Sequence, residues 1–226
     1  MTSSSYLIKR TAQAPAMDFQ WDSPVWEQAE TITLEQVSPE SSGFIPKVQV
    51  RVLHDGKGLY GIFKVVDKSV LAAVTEYNGI VCRDSCVEFF FRPGCDQGPY
   101  INLEMSASGA RLNYLVKDWT RMPGGFKDFV IIPPEEGMKM EVRSSITEPV
   151  PVEKEGDITY YVQFTVPGEV LEQQFGITGE LGGAVWSGNF FKCCDAVKTP
   201  HWLQWQAVHP LNFHQPEFFG KLIFEA

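Results

Sequence analysis

The sequence predicts an all-β protein: a two-sheet antiparallel β-sandwich of jelly-roll type with one or two short helices. Three observations carry that reading. The densest run of β-formers, Asp84-Ser85-Cys86-Val87-Glu88-Phe89-Phe90-Phe91-Arg92, is closed by Pro93-Gly94; aromatic and β-branched residues favour pleated backbone, and Pro-Gly ends it. About eleven short runs of this kind follow one another along the chain, with turn residues between them. Helical patterning is confined to brief pieces. At 226 residues the chain can bury a core without staples, and no linker or repeat divides it, so residues 1–226 read as one domain. That strand count fits a two-sheet jelly roll.

Taken in order, residues 6–10 read as a short edge strand and residues 21–29 as a turn and brief helix with Trp26 as a core plug. Residues 31–37 read as a strand and residues 38–43 as a loop. Residues 48–53 and 59–66 make a hairpin across His54-Asp55-Gly56-Lys57-Gly58, because glycine reaches positive φ cheaply. His54, beside that turn, is expected at the surface. Residues 67–78 suggest a turn with a helical piece, and residues 117–125 a long loop carrying Trp119. Residues 139–147 and 158–166 form an expected antiparallel pair around an acidic, proline-bearing loop at 148–156. Residues 167–175 read as a helix that starts at Pro167 and is stopped by Gly176. Strands at 110–116, 184–192, 202–206 and 220–225 complete the pattern.

Alternation sorts the two central runs into faces. Val87, Phe89 and Phe91 share one face with Ile101, Leu103 and Met105 of the run Tyr100-Ile101-Asn102-Leu103-Glu104-Met105-Ser106. The short connection at 93–99 makes the two strands antiparallel neighbours. The opposite rows then present Glu88, Phe90, Arg92, Tyr100, Asn102 and Glu104 together. A carboxylate in an otherwise apolar strand is costly to bury without a partner. Planar hydrogen-bonding groups beside aromatic rings suit a neutral polar ligand such as a sugar, whose hydroxyls need paired donors and acceptors and whose C–H faces stack on rings.

Composition excludes some classes. The net charge of −9 argues against binding a phosphate backbone or an acidic membrane surface, and no apolar run is long enough to span a bilayer. Five cysteines, an odd number without ligand-like spacing, read as free thiols; with no export signal in the opening residues, the cytoplasm is the expected compartment.

Three segments together resemble carbohydrate-binding module family 9, in its stand-alone branch: Asp84-Ser85-Cys86-Val87-Glu88-Phe89-Phe90, Tyr100-Ile101-Asn102-Leu103-Glu104, and the closing run from Phe213-His214-Gln215-Pro216-Glu217 to Phe224. The resemblance implies a jelly-roll sandwich, sometimes with structural calcium, that binds a mono- or oligosaccharide and is commonly attached to a glycoside hydrolase. In such modules two aromatic rings clamp the sugar, while a glutamate, amides and basic groups hydrogen-bond it. Glu88 matches the glutamate and Phe213 the second ring, Lys192 falls where the family places a glutamine, and Asn102 keeps an amide beside Glu104. The first ring is replaced by Cys82, so Tyr77, Trp119 or Trp202 would have to supply a second one.

Other readings compete. Glu88 and Glu104 could form the carboxylate pair of a glycosidase, which needs a separation of about 5–10 Å. His201, His209 and His214 match no metal spacing. A haem held through Met105 or His214, or a sandwich serving only protein interaction, are the remaining alternatives.

Overall fold

The structure is a computed structural model, and it describes residues 4–95 and 97–226. Its strands are β1 (Ser5–Arg10), β2 (Ile32–Thr33), β3 (Gln36–Val37), β4 (Lys47–His54), β5 (Leu59–Ala72), β6 (Cys86–Arg92) and β7 (Tyr100–Ser106), followed by β8 (Arg111–Met122), β9 (Gly125–Ile131), β10 (Val142–Ser144), β11 (Val150–Val166), β12 (Val185–Cys194), β13 (His201–Gln204) and β14 (Gly220–Phe224). Three short helices accompany them: α1 (Pro24–Glu27), α2 (Pro134–Gly137) and α3 (Gly168–Phe175). No described helix is long and apolar enough to cross a membrane.

One sheet runs β14-β12-β6-β7-β8-β9, the other β4-β5-β11-β10, and β1 joins them. Residues 5–8 of β1 pair in parallel with β14, and Lys9 and Arg10 pair in parallel with β4. The expected edge strand is therefore an internal one that passes from sheet to sheet, and these two parallel joins depart from the all-antiparallel expectation.

The core lies between the sheets. Val87, Phe89, Phe91, Ile101, Leu103 and Met105 all face it, as alternation predicts, opposite Phe63, Val65, Tyr160, Val162 and Phe164. Phe89 stacks on Phe190 of β12 at 4.7 Å between centroids and meets Phe164 of the facing sheet at 5.6 Å. Burying each such ring contributes roughly 1.5–3 kcal/mol. Trp26 plugs a second cluster with Trp21, Leu53 and Ile62 on the far side of the other sheet. The helix α3 has Pro167 as its N-cap and ends at Gly176, whose φ of 71° is left-handed.

Several expectations change. The strand β5 continues through residues 67–72, and the acidic stretch 150–157 pairs with it as the irregular end of β11, with register shifts between Val150/Lys154 and Glu155/Ile158. Exposed lysines (Lys68 to Asp157, Lys198 to Glu155) neutralise acids that would otherwise favour a loop. The segment carrying Trp119 is strand rather than loop, because β8 and β9 form a long hairpin. His54 is fully buried: the backbone N–H of Leu181 caps its turn at the Gly56 carbonyl, and its ring lies 5.3 Å from that of Phe224. All five cysteines are free thiols.

Candidate functional site

The outward face of β6, β7, β8 and β12 carries a cleft of about 580 Å³. Strand register builds it. Glu88 stands opposite Glu104 on β7 and opposite Phe191 on β12; Glu104 in turn faces Leu112 on β8, and Asn102 faces Tyr114. Because side chains alternate, Glu88, Asn102, Glu104, Tyr114 and Cys193 all reach one side. The segment 208–219 closes over the same face, burying Phe90 and Tyr100 beneath Val208, Phe213 and Phe219. The outer face is thus half roofed rather than an open platform. Arg92 is buried under it, donating from Nε to Ser187 Oγ at 2.8 Å.

The polar groups are organised by hydrogen bonds. The Asn102 Nδ2 amide donates to Glu104 Oε1 at 2.8 Å, while Asn102 Oδ1 accepts the backbone N–H of Tyr114 at 2.8 Å. The Cys193 thiol donates to Glu88 Oε1 at 3.2 Å. Both carboxyls are held above the usual range. Burial is the main cause for each, and for Glu88 the charge of Glu104 adds to it; Glu104 is pushed up to about 7. His214, whose Nδ1 lies 2.8 Å from the Tyr100 hydroxyl, is driven well below its ordinary value by burial and by Arg121, so it is neutral. No histidine cation therefore offsets the pair.

The sequence-derived candidates divide. Glu88, Asn102, Glu104, Trp202 and Phe213 line the cleft. Phe213 stacks on Phe191 at 4.1 Å with an interplanar angle of 15°, and the Trp202 indole N–H donates to Asp195 Oδ1 at 2.9 Å. Lys192 does not reach it. Its register partner is Val87, so its side chain points between the sheets, where Nζ is fully buried against the Cys193 carbonyl and His201 Nε2, both at 2.9 Å. His201, lowered to about 3 by burial and by Lys192, is neutral and accepts that bond. Trp119 packs beside Tyr100 at 6.3 Å, outside the cleft lining, and Tyr77 donates its hydroxyl to the Ile132 carbonyl at 2.8 Å in another depression. Of the three rings considered as a replacement at Cys82, Trp202 alone lines the cleft, together with Cys82 itself.

Sequence reasoning missed Arg121, Phe126, Cys193 and Asp195, all of which line the cleft. Reading 117–125 as a loop hid Arg121, which lies over Phe126 at 4.5 Å and donates to Asn212 Oδ1 at 3.2 Å. Alternation along β12 from Phe191 would have found Cys193. Cys86, Glu88 and Cys193 bring their ligand-type atoms within 4.8 Å of one another, a closeness that the thiol-to-carboxyl hydrogen bond accounts for.

A β-sandwich with a cleft of rings and planar hydrogen-bonding groups on one outer face has the architecture of a carbohydrate-binding module. The family model described as carbohydrate-binding family 9 matches residues 24–224, and the chain belongs to that family. A protein of Bacteroides uniformis ATCC 8492, provisionally described as carbohydrate-binding, has a crystal structure that superposes with a TM-score of 0.84 at 27% identity, over 99% of this chain and 100% of that one. A family 9 module of Caldicellulosiruptor kristjanssonii, solved with cellotriose and with glucose, shares the fold at a TM-score of 0.59 and 14% identity, over 99% of this chain and 94% and 96% of those chains. No curated protein matches the sequence.

Proposed function

We propose that the cleft binds a mono- or oligosaccharide without catalysing a reaction on it, with Glu88 as the hydrogen-bonding anchor and Phe213 as the stacking surface. The observation that carries this is the stack of Phe213 on Phe191 beside the buried set Glu88, Asn102 and Glu104 in one cleft. A ring face removes sugar C–H groups from water, while fixed amide and carboxyl groups pair the hydroxyls. Family membership and the glucose and cellotriose complexes of the Caldicellulosiruptor module support the same ligand class. Trp202 and Leu112 also line the cleft, and Cys82 stands where a second ring would complete a clamp. Affinity is accordingly expected in the micromolar to millimolar range. A glycoside hydrolase is the partner this reading favours, on the strength of the family resemblance alone.

The resemblance also implies calcium. The side-chain donors that gather elsewhere, Asp67, Glu153, Glu155 and Asp157, do not favour it: Lys68 and Lys198 pair Asp157 and Glu155, and Lys192 and His201 approach Asp67 at 4.0 and 3.6 Å. A calcium cage needs six to eight oxygens with no competing ammonium. Calorimetric titration with glucose, glucosamine and cellotriose tests the proposal, and the absence of binding heat with all three overturns it.

A further inference from the structure

The charge balance of the cleft points to a narrower ligand class than sugars in general. Three carboxyl groups line it, Glu88, Glu104 and Asp195, against one cation, Arg121. That cation is already engaged, with Asn212 and with the ring of Phe126. Lys192 faces the other side of the sheet and Lys127 pairs with Asp118, so the charge of Lys192 on Glu88 and that of Arg121 on Glu104 only partly offset the burial that raises both carboxyls. Glu88 and Glu104 are register partners on adjacent strands, 2% and 7% exposed. Each gives Oε1 to a protein donor, and among the described residues neither Oε2 takes a hydrogen bond. Two buried carboxyls therefore meet in the cleft, each with an oxygen left for whatever enters it.

A neutral hydroxyl can hydrogen-bond such a pair but cannot neutralise it, so one carboxyl must keep a proton or both charges must stay buried. An ammonium brings donors and a positive charge together, so the pair can stay ionised with donor and acceptor both charged, which a hydroxyl does not allow. We infer that the site selects a cationic amino sugar, a hexosamine whose ammonium lies between Glu88 and Glu104, over the neutral sugar of the same shape. The inference rests on the carbohydrate-binding reading of the cleft and narrows it. Trp202 is compatible with that role, since its indole N–H holds Asp195 at the rim as a further carboxyl.

The test is a calorimetric comparison of the full chain near neutral pH with glucosamine, glucose, N-acetylglucosamine and glucuronate. The expected result is glucosamine binding at least about tenfold more tightly than glucose. N-acetylation, which removes the charge, should abolish the advantage, and glucuronate should bind most weakly. In Glu104→Gln the preference for the amine should shrink. Glucose binding as tightly as glucosamine, or glucuronate binding more tightly than either, overturns the inference and leaves the carbohydrate-binding reading standing. Binding of none of the four overturns both.

Discussion

Glu88 and Glu104 face each other directly across β6 and β7, two carboxyls buried on one side of a sheet with no histidine cation beside them. Glu104 moves from 4.5 to about 7, which corresponds to roughly 3 kcal/mol between its two protonation states. A carboxyl that holds its proton more tightly when folded adds stability below its unfolded value and loses it as pH rises through the folded value. His54, His201 and His214 are all lowered and act in the opposite direction below about pH 6.5, since the unfolded chain protonates them first. Comparing wild type with Glu104→Gln cancels that contribution. In urea unfolding followed from about pH 5 to about pH 8, the glutamine variant should gain on wild type by about 2–3 kcal/mol. A difference that stays flat over that range would show that burial does not hold the Glu104 carboxyl above its ordinary range.

Phe213 should matter for its planar face more than for its bulk. It stacks on Phe191 at 4.1 Å and is 8% exposed. Phe213→Leu keeps most of the buried apolar volume and removes the ring. Sugar affinity should fall about fivefold to tenfold, a loss of about 1 kcal/mol, with little change in melting temperature. Calorimetry with a parallel thermal melt checks this; full affinity in a folded variant would place the sugar against other residues.

Lys192 should act on stability and leave the sugar alone. It is buried with Asp67 and neutral His201, and Asp67 Oδ2 has no hydrogen-bond partner. Lys192→Met leaves the Asp67 charge uncompensated, and breaking a buried pair in this way costs about 3–5 kcal/mol. The double change Lys192→Met with Asp67→Asn should recover most of that loss, and a folded double variant should bind sugar as wild type does. Urea unfolding and calorimetry on the same samples read both effects. Lost affinity in a stable double variant would place Lys192 in the binding machinery.

The fate of Lys192 shows which parts of the molecule were legible in the sequence. Period-two alternation placed the six core residues of β6 and β7 correctly, because both faces of that pair have contrasting chemistry. It also placed Glu88 and Glu104 on one face of neighbouring strands, while their direct opposition comes from the register. Lys192 was assigned by analogy with a family position, whereas the register with Val87 turns it inward. Phe191, one residue earlier, occupies the site face. Residues 117–125 and 148–156 look like loops because glycine, proline and charge dominate them, yet each continues a long ladder whose partner strand lies at its side. Pairing of that kind depends on tertiary neighbours and leaves no local period. The roof over Phe90 and Tyr100 was equally hidden, since it is contributed by a non-strand segment more than a hundred residues away.

Calorimetric titration of wild type and Glu88→Gln with glucose and cellotriose tests the central claim most directly. Glutamine keeps the size of the side chain and the Cys193 contact while replacing the carboxyl oxygen left for the ligand with an amide. Wild type should bind with a micromolar to millimolar dissociation constant. The variant should bind about tenfold more weakly, the loss of one hydrogen bond between the ligand and the anchoring carboxyl. An unchanged dissociation constant in a folded Glu88→Gln would contradict the account, because the cleft would then hold its ligand without its anchor.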